Sequence, residues 1–544
     1  MAEIHAETYD YIVVGAGSAG SVIANRLSAD GKSSILVLEA GGPDRNPFLH
    51  IPAGYVKTLT NPKLIWPFKS EPGPGSSGRA ITLPQGRVYG GSSSLNGLVY
   101  NRGQAEDFDE WARMGNPGWG YEDVLPYFRR SERRIGPGED RYHGRNGRIA
   151  VSDPEWKDEL CEAFIESVQS TGLARNPDYN GTTQEGVGYF QRMIEGRFRV
   201  SAATGFLHPA LKRSNVSIRP FAQVFDLLIE NGRVSGVWYF RAGNPSDRVL
   251  ARCRGEVILC AGTINTTRLM QVSGIGDGAT LSKAGVETRH HLPGVGRNFR
   301  DHYFIHINQR MKDGVISLNQ QAKGWRLGVE IIKWLAGASN ILSLSPSVAY
   351  AFCKSDASVE RPDIQYIFTP GSYKPNHVYV LDNFPAVTCG FSQHRPESVG
   401  HISITSPDPI ALPVIQPNYL SASTDQAVVV KALRLARRFM AAAPLARFAE
   451  REEEPGASVQ SDEALLEFAR RTGNTGYHFM GACAMGPRSN PLAVVAPDLR
   501  VHGLTGLRIA DASVMPAMPS ANTYASTLMI AEKGADLIKG ISRA

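Results

Sequence analysis

The chain has 544 residues, more than one compact core usually serves, so two or more sub-structures are expected. Apolar residues make up 42% and charged residues 20%, a globular balance that gives no grounds for disorder. The net charge of +6 is spread in short basic runs broken by acids, such as Arg129-Arg130 and Arg133-Arg134, which excludes a focused nucleic-acid face.

Residues 1–10 are acidic and run straight into a strand-like segment, with no basic region leading an apolar one, so no secretory leader is expected. No run of ~18 apolar residues is present, so no membrane span is expected either. The six cysteines (Cys161, Cys253, Cys260, Cys353, Cys389 and Cys483) are irregularly spaced and form no C-x-x-C, which suggests neither a zinc site nor a disulfide framework. Reduced, buried thiols in a cytoplasmic protein fit this usage.

In chain order, Tyr9–Val14 reads as a short buried strand ending abruptly in glycine. Val22, Ile23 and Leu27 then recur at helical spacing, and Ser34–Leu38 gives a second strand ending at Glu39, so the segment is a βαβ unit. Residues 42–81 are rich in Pro, Gly, Asn and Ser and read as an extended, loop-like stretch. Aromatic residues between turn signals predict short helices over 106–132. The alternation from Val216 to Val249, with Asn231-Gly232 between two runs, predicts hairpins. Glu256–Gly262 returns to a buried strand followed by a helix. Residues 310–460 lack a glycine-rich loop after a strand and read as a second domain inserted into the first. Leu507–Asp511 is a strand, and Leu528, Ala531, Ala535 and Ile538 mark one face of a final helix.

Gly15-x-Gly17-x-x-Gly20 follows a strand and opens a helix at Ser18 and Ala19. The first glycine permits the tight turn, the second lets the backbone approach a pyrophosphate, and the third allows close helix–strand packing. Free N–H groups at the helix start suit phosphates. Glu39 lies 19 residues past Gly20, where a carboxylate bonds a ribose hydroxyl pair. The motif by itself leaves NAD and FAD both open.

The run Gln85 to Gly97 (QGRVYGGSSSLNG) decides between them. With Asp107–Trp111, Gly262–Gly276, Leu292–Asn298, Tyr477–Gly481, Asp511–Pro516 and Ala521–Thr523, it resembles the ordered signature blocks of the glucose–methanol–choline (GMC) oxidoreductases, over essentially the whole chain. The resemblance implies an α/β fold (α+β overall): a Rossmann-like FAD-binding domain with an inserted substrate-binding domain built on an antiparallel sheet flanked by helices. The expected division is 1–155, 216–308 and 471–544 for the FAD-binding domain, and 156–215 and 309–470 for the substrate-binding domain. It also implies FAD along Gly15, Gly17, Ser18, Ala19, Gly20 and Glu39, with Val224 near the adenine. Arg87, Gly91, Ser92 and Asn96 would run along the diphosphate and flavin, with Tyr477, Asp511 and Thr523 completing the site. Leu95 stands where some members attach flavin through a histidine, so the FAD is expected to be non-covalent. Thr267 replaces the usual Pro or Ser of the second signature, and Tyr524 stands where Asn is common.

Oxidising an alcohol requires loss of a hydroxyl proton and passage of a hydride to flavin N5, and histidine's pKa suits the proton transfer. By resemblance His478 is that acid/base. Asn522, 44 positions on, would orient the hydroxyl, since an amide cannot take a proton. The expected partners are a small-molecule alcohol and O2 or a quinone-type acceptor. No metal is expected. The remaining histidines, His302 and His306 among them, are read as structural, with Asp301 pointing to the face opposite His302 by strand alternation. Cys483 is read as a buried small hydrophobe. The competing readings are a redox-silent hydroxynitrile lyase of the same family, a non-catalytic flavin-binding protein and an NAD dehydrogenase.

Overall fold

The computed structural model of the protein describes residues 7–374 and 380–541. The readings that fall on residues 1–6, and on His5 and His377, lie outside the described residues. From the N-terminus the chain forms β1 (Glu7–Val14), α1 (Ser18–Leu27) and β2 (Ile35–Leu38), then the hairpin β3 (Ile65–Lys69) and β4 (Thr82–Gly86). Helices α2 (Ala105–Arg113) and α3 (Tyr121–Ser131) precede β5 (Gly186–Tyr189), β6 (Val216–Arg219), β7 (Gln223–Glu230), β8 (Arg233–Phe240), β9 (Arg248–Leu259) and α4 (Gly262–Val272). Next come β10 (Tyr303–Met311), α5 (Gly324–Leu335), β11 (Ala349–Cys353), β12 (Ile364–Thr369), β13 (Ala386–Gln393), α6 (Ser423–Ala441) and β14 (Ala449–Glu454). The described chain closes with β15 (Asn474–Thr475), β16 (Leu507–Ile509) and α7 (Thr523–Ile538).

The fold is α/β, with two seven-stranded sheets. The first runs β6–β2–β1–β9–β8–β7, with β16 beside β9. Its β6, β2, β1, β9 and β16 are parallel, and β8 and β7 add an antiparallel edge. Ile12, Val13 and Ile35–Val37 are fully buried, as parallel strands covered on both faces require. The second sheet runs β14–β10–β13–β12–β11–β5 and is antiparallel, with β15 paired to the start of β10. Helix α6 packs across β13 and β10. Each sheet carries its own large apolar cluster.

Three local expectations change. Val216–Arg219 is no part of a hairpin; it pairs in parallel with β2, while β7 and β8 form the hairpin. Asn231 and Gly232 have φ of 50° and 74° there, as a type I′ turn demands. The stretch read as loop-like holds β3, which pairs with β4 just beyond it, Pro67 opposite Pro84. And α7 buries more than one face: every residue from Thr523 to Glu532 is buried, because the helix packs against both α1 and α3. Glu532 on it has a fully buried side chain, held by Arg26 at 2.7 Å and by Arg130 at 2.6 Å. A carboxylate so enclosed needs such partners to offset lost hydration, so these two ion pairs also lock α7 to α1 and α3.

Candidate active site

The site follows from two glycine-rich turns that touch. Gly15, with φ of 100°, ends β1 so close to β9 that a Cβ would lie 2.6 Å from the Cys260 carbonyl oxygen. A Cβ on Gly20 would lie 1.8 Å from the Gly15 carbonyl oxygen, so that glycine lets α1 pack against its own strand. Gly91, with φ of 54°, meets the first turn from the other motif: its Cβ would lie 2.8 Å from the Gly17 Cα. Gly17, Ser18, Ala19, Gly91, Ser92 and Asn96 all line one cavity of about 700 Å³, toward the upper end of the range for small-molecule sites. The first-turn N–H groups of α1 have no acceptor within their helix.

Glu39, Val224, Asp511, Thr523 and Tyr477 line the same cavity. The Glu39 carboxylate accepts from the N–H groups of Ala16 (2.8 Å) and Gly41 (2.7 Å), and burial pushes its pKa up. It therefore also braces the turn from beneath. Asp511 accepts from the N–H of Gly262 and the hydroxyl of Thr266 with one oxygen, and from Ser513 with the other, fastening α4 to the turn after β16. Arg87 lies at the cavity edge: its guanidinium is 4.5 Å over the ring of Trp66, and its Nε donates to the Ala40 carbonyl oxygen, both residues lining the cavity. Leu95 is buried with Leu49, Ile65 and Val88, an apolar side chain with no nucleophile.

At the other end of the cavity stand His478 and Asn522. Asn522 Nδ2 is 2.9 Å from His478 Nε2. His478 Nδ1 is 2.8 Å from His302 Nδ1, and His302 Nε2 is 2.7 Å from the His394 carbonyl oxygen. A carbonyl only accepts, so His302 Nε2 carries the proton and His302 Nδ1 is an acceptor. His478 Nδ1 must then donate, which leaves a lone pair on His478 Nε2, facing the Asn522 amide. Burial pushes the His302 ring down to about 4 and holds His478 well below the usual imidazole range, with His302 adding to the latter. Both rings are neutral near pH 7.

Asp301 completes the support. It accepts from the His478 backbone N–H (2.8 Å), the Tyr419 hydroxyl (2.6 Å) and the Thr475 hydroxyl (2.5 Å). Burial pushes it up to about 6 while these donors pull it down, so it is ionised at neutral pH. The structural reading of His302 is therefore extended: its ring bonds the His478 ring, while Asp301 bonds different partners, and both reach the 475–478 segment that β15 brings alongside. The adjacent Asp-His pair before an alternating strand was the one signal in the sequence. Cys483 is fully buried, and burial pushes its thiol up to about 12, which leaves no thiolate. All six cysteines are unpaired and buried.

Two family models, both described as GMC oxidoreductase, match residues 9–304 and 396–531. The chain belongs to the GMC oxidoreductases. It is accordingly an FAD-dependent oxidoreductase. This GMC chain is 38% identical over 540 residues to an oxygen-dependent choline dehydrogenase of Photobacterium profundum, covering 98% of this chain and 93% of the relative. It is 39% identical over 536 residues to one of Sinorhizobium fredii, covering 98% and 95%. Its fold matches a pyridoxine 4-oxidase from Mesorbium loti with a TM-score of 0.88 and 28% identity, covering 98% of this chain and 100% of that one. A fungal aryl-alcohol oxidase shares the fold alone, with a TM-score of 0.85 and 24% identity, covering 97% and 98%.

The residues present fit FAD. Gly15 and Gly91 pack too tightly against the Cys260 and Gly17 backbone to admit a Cβ, which brings the two turns to the cavity wall bare of side chains. Asn265 Oδ1, Arg268 Nη1, Asn522 Oδ1 and the Tyr524 hydroxyl are buried without partners, and all four residues line the cavity, as a polar ligand would require. Among the described residues no group of three or more His, Cys, Asp or Glu could hold a metal ion, and no helix is long and apolar enough to cross a membrane.

Proposed function

We propose that this GMC oxidoreductase oxidises the CH–OH group of an alcohol to a carbonyl, with His478 as the acid/base and Asn522 orienting the hydroxyl. The observation that carries the reading is the proton order along His394, His302 and His478, which leaves an accepting nitrogen beside a donating amide. A hydroxyl is both donor and acceptor, so it matches that pair: its O–H donates to His478 Nε2 while its oxygen accepts from Asn522 Nδ2. When bound, FAD supplies the acceptor for the hydride. His478 takes the hydroxyl proton, which raises electron density on the oxygen and favours loss of that hydride from carbon. Asp301 holds the histidine backbone, and His302 holds its tautomer.

The cofactor would be held non-covalently by the cradle around Gly15–Gly20, Glu39 and Gly91–Asn96, because Leu95 offers no atom for a covalent bond. The first sheet is assigned to the cofactor and the second to the substrate. β10 joins the second sheet from Tyr303, ahead of the boundary at 309. Phe304, whose ring centroid lies 6.2 Å from that of His478, lines the catalytic end with Phe479 and Tyr477. These rings support an aromatic or heteroaromatic primary alcohol. A quaternary ammonium substrate wants aromatic faces and a free carboxylate. On the second-sheet side of the cavity the carboxylate among the described lining residues is Glu454, which already accepts from Asn308. The lyase alternative finds no support in the relatives named above, which are dehydrogenases and oxidases.

The test is anaerobic mixing of the purified yellow protein with aryl primary alcohols, choline and polyols, followed at the visible flavin band. Bleaching by an alcohol, reversed by air or a quinone, is the expected result and also names the acceptor. Bound flavin that stays oxidised with every alcohol, or protein that carries none, would overturn the reading.

A further inference from the structure

Helix α5 exposes an apolar face that the catalytic site does not use. Trp325 is 76% exposed, Ile332 68% and Leu335 62%, with Val329 and Ile331 exposed beside them. Five of the eighteen exposed large apolar side chains among the described residues therefore sit on these twelve residues, whereas the rest are mostly scattered. At helical spacing the five span an arc of about 160°. Trp334 is the buried anchor on the opposite side, with Phe198 packed edge-on at 5.5 Å and the Arg197 guanidinium 5.1 Å over its ring.

The charges around this face are mostly positive. Arg326 flanks the arc and lies 5.6 Å over the Trp325 ring. Lys323 is bonded to the Asp382 carbonyl and the Asn383 side chain, and Arg197 to the carbonyls of Trp334 and Leu335, so neither meets an acid in these bonds. Lys333 pairs with Glu330, the single acid of the helix. An apolar face edged by Arg and Lys, with a tryptophan near its start, is the composition of helices that lie in a lipid headgroup layer. A second copy of the chain suits it less. Two-fold pairing would bring these cations face to face, and one three-turn helix against its twin reaches no more than the ~1,000 Å² floor of specific interfaces.

We propose that α5 is an interfacial helix that seats this protein peripherally on an anionic lipid bilayer, with Trp325, Val329, Ile332 and Leu335 in the headgroup layer and Arg326 and Lys333 against lipid phosphates. The segment that leaves α5 runs directly to Pro346 and Ser347 in the cavity wall, so the seat and the site share one stretch of chain. The flavin-loaded protein is sedimented with vesicles of phosphatidylcholine alone and of phosphatidylcholine with phosphatidylglycerol. Co-sedimentation with the anionic vesicles is expected, weakening as salt is added. The double substitution Trp325→Gln/Ile332→Gln lowers this binding about ten-fold or more, since each buried apolar side chain contributes the equivalent of at least that factor. Visible spectrum and turnover in solution stay unchanged. Arg326→Glu/Lys333→Glu abolishes the preference for anionic vesicles. Wild-type protein that stays in solution with both vesicle types, or a double variant that binds as wild type does, overturns the proposal. A wild-type dimer that the double variant dissociates, without vesicle binding, assigns the face to a second copy and overturns it equally.

Discussion

The two ends of the cavity are built by different means. At the proposed dinucleotide end, Gly15, Gly17, Gly20 and Gly91 bring backbone against backbone, so that N–H groups and not side chains face the cavity. At the proposed catalytic end, His302, His478 and Asn522 bring side chains from three distant stretches into one line of hydrogen bonds. The first end fails when an atom is added and the second when one is taken away. Substitutions of opposite kinds should therefore separate cofactor retention from turnover.

The largest effect expected at the catalytic end comes from His478→Ala. It lowers kcat/KM for an alcohol by about 10²–10⁴-fold, the usual worth of a general base. Flavin content, read from the visible absorbance relative to protein, stays at the wild-type value. A variant that keeps its turnover would remove His478 from the reaction and with it the contrast between the two ends.

Next in size is His302→Phe, which keeps an aromatic ring but deletes the Nδ1 acceptor. Loss of the held tautomer lowers kcat by about 10–100-fold, within the range for outer partners that orient a reacting imidazole. The pH profile distinguishes positioning from bulk. In the wild type the folded pKa of His478 lies well below 6.5, and only its neutral form accepts a proton. kcat/KM is therefore level from neutral pH down past 6.5 and falls only as pH drops through that lowered value. Removing His302 takes away one of the two causes of the lowering, so the acidic limb moves up toward 6.5. A limb that stays in place would make His302 a packing residue only.

The smallest effect is Gly15→Ala. One methyl, at a φ of 100° and 2.6 Å from a backbone oxygen, costs about 1–3 kcal/mol in a conformation that side chains rarely adopt. It shows as partial loss of flavin on purification, with turnover per bound flavin unchanged. Equal losses in flavin content and in turnover per flavin would mean that the two ends are not separable.

The same contrast explains what could be read from the chain. Strand, glycine turn, helix, strand and Glu39 are contiguous between residues 9 and 39, so local spacing alone predicts the βαβ unit and the cradle. His302 and His478 lie 176 positions apart, and no spacing rule spans that distance. His302 reads as structural by default, since nothing near it in the sequence names its partner. The motif around Arg87 fixes its backbone path more firmly than the aim of its long side chain, which lies over Trp66 at the cavity edge. Helix α7 was read as one-faced from four residues, and its burial on all sides depends on α1 and α3 both closing over it.

By itself, then, the sequence determined the backbone cradle, whose local conformation is set by glycine, strand patterning and helix start, and, through the resemblance of its ordered motif blocks, the family and the cofactor class. Only the tertiary structure decided the proton order at His478, the burial of α7 and the exposure of α5. Those depend on which surfaces meet across hundreds of residues, and hydrogen-bond direction and burial are properties of contacts, not of composition.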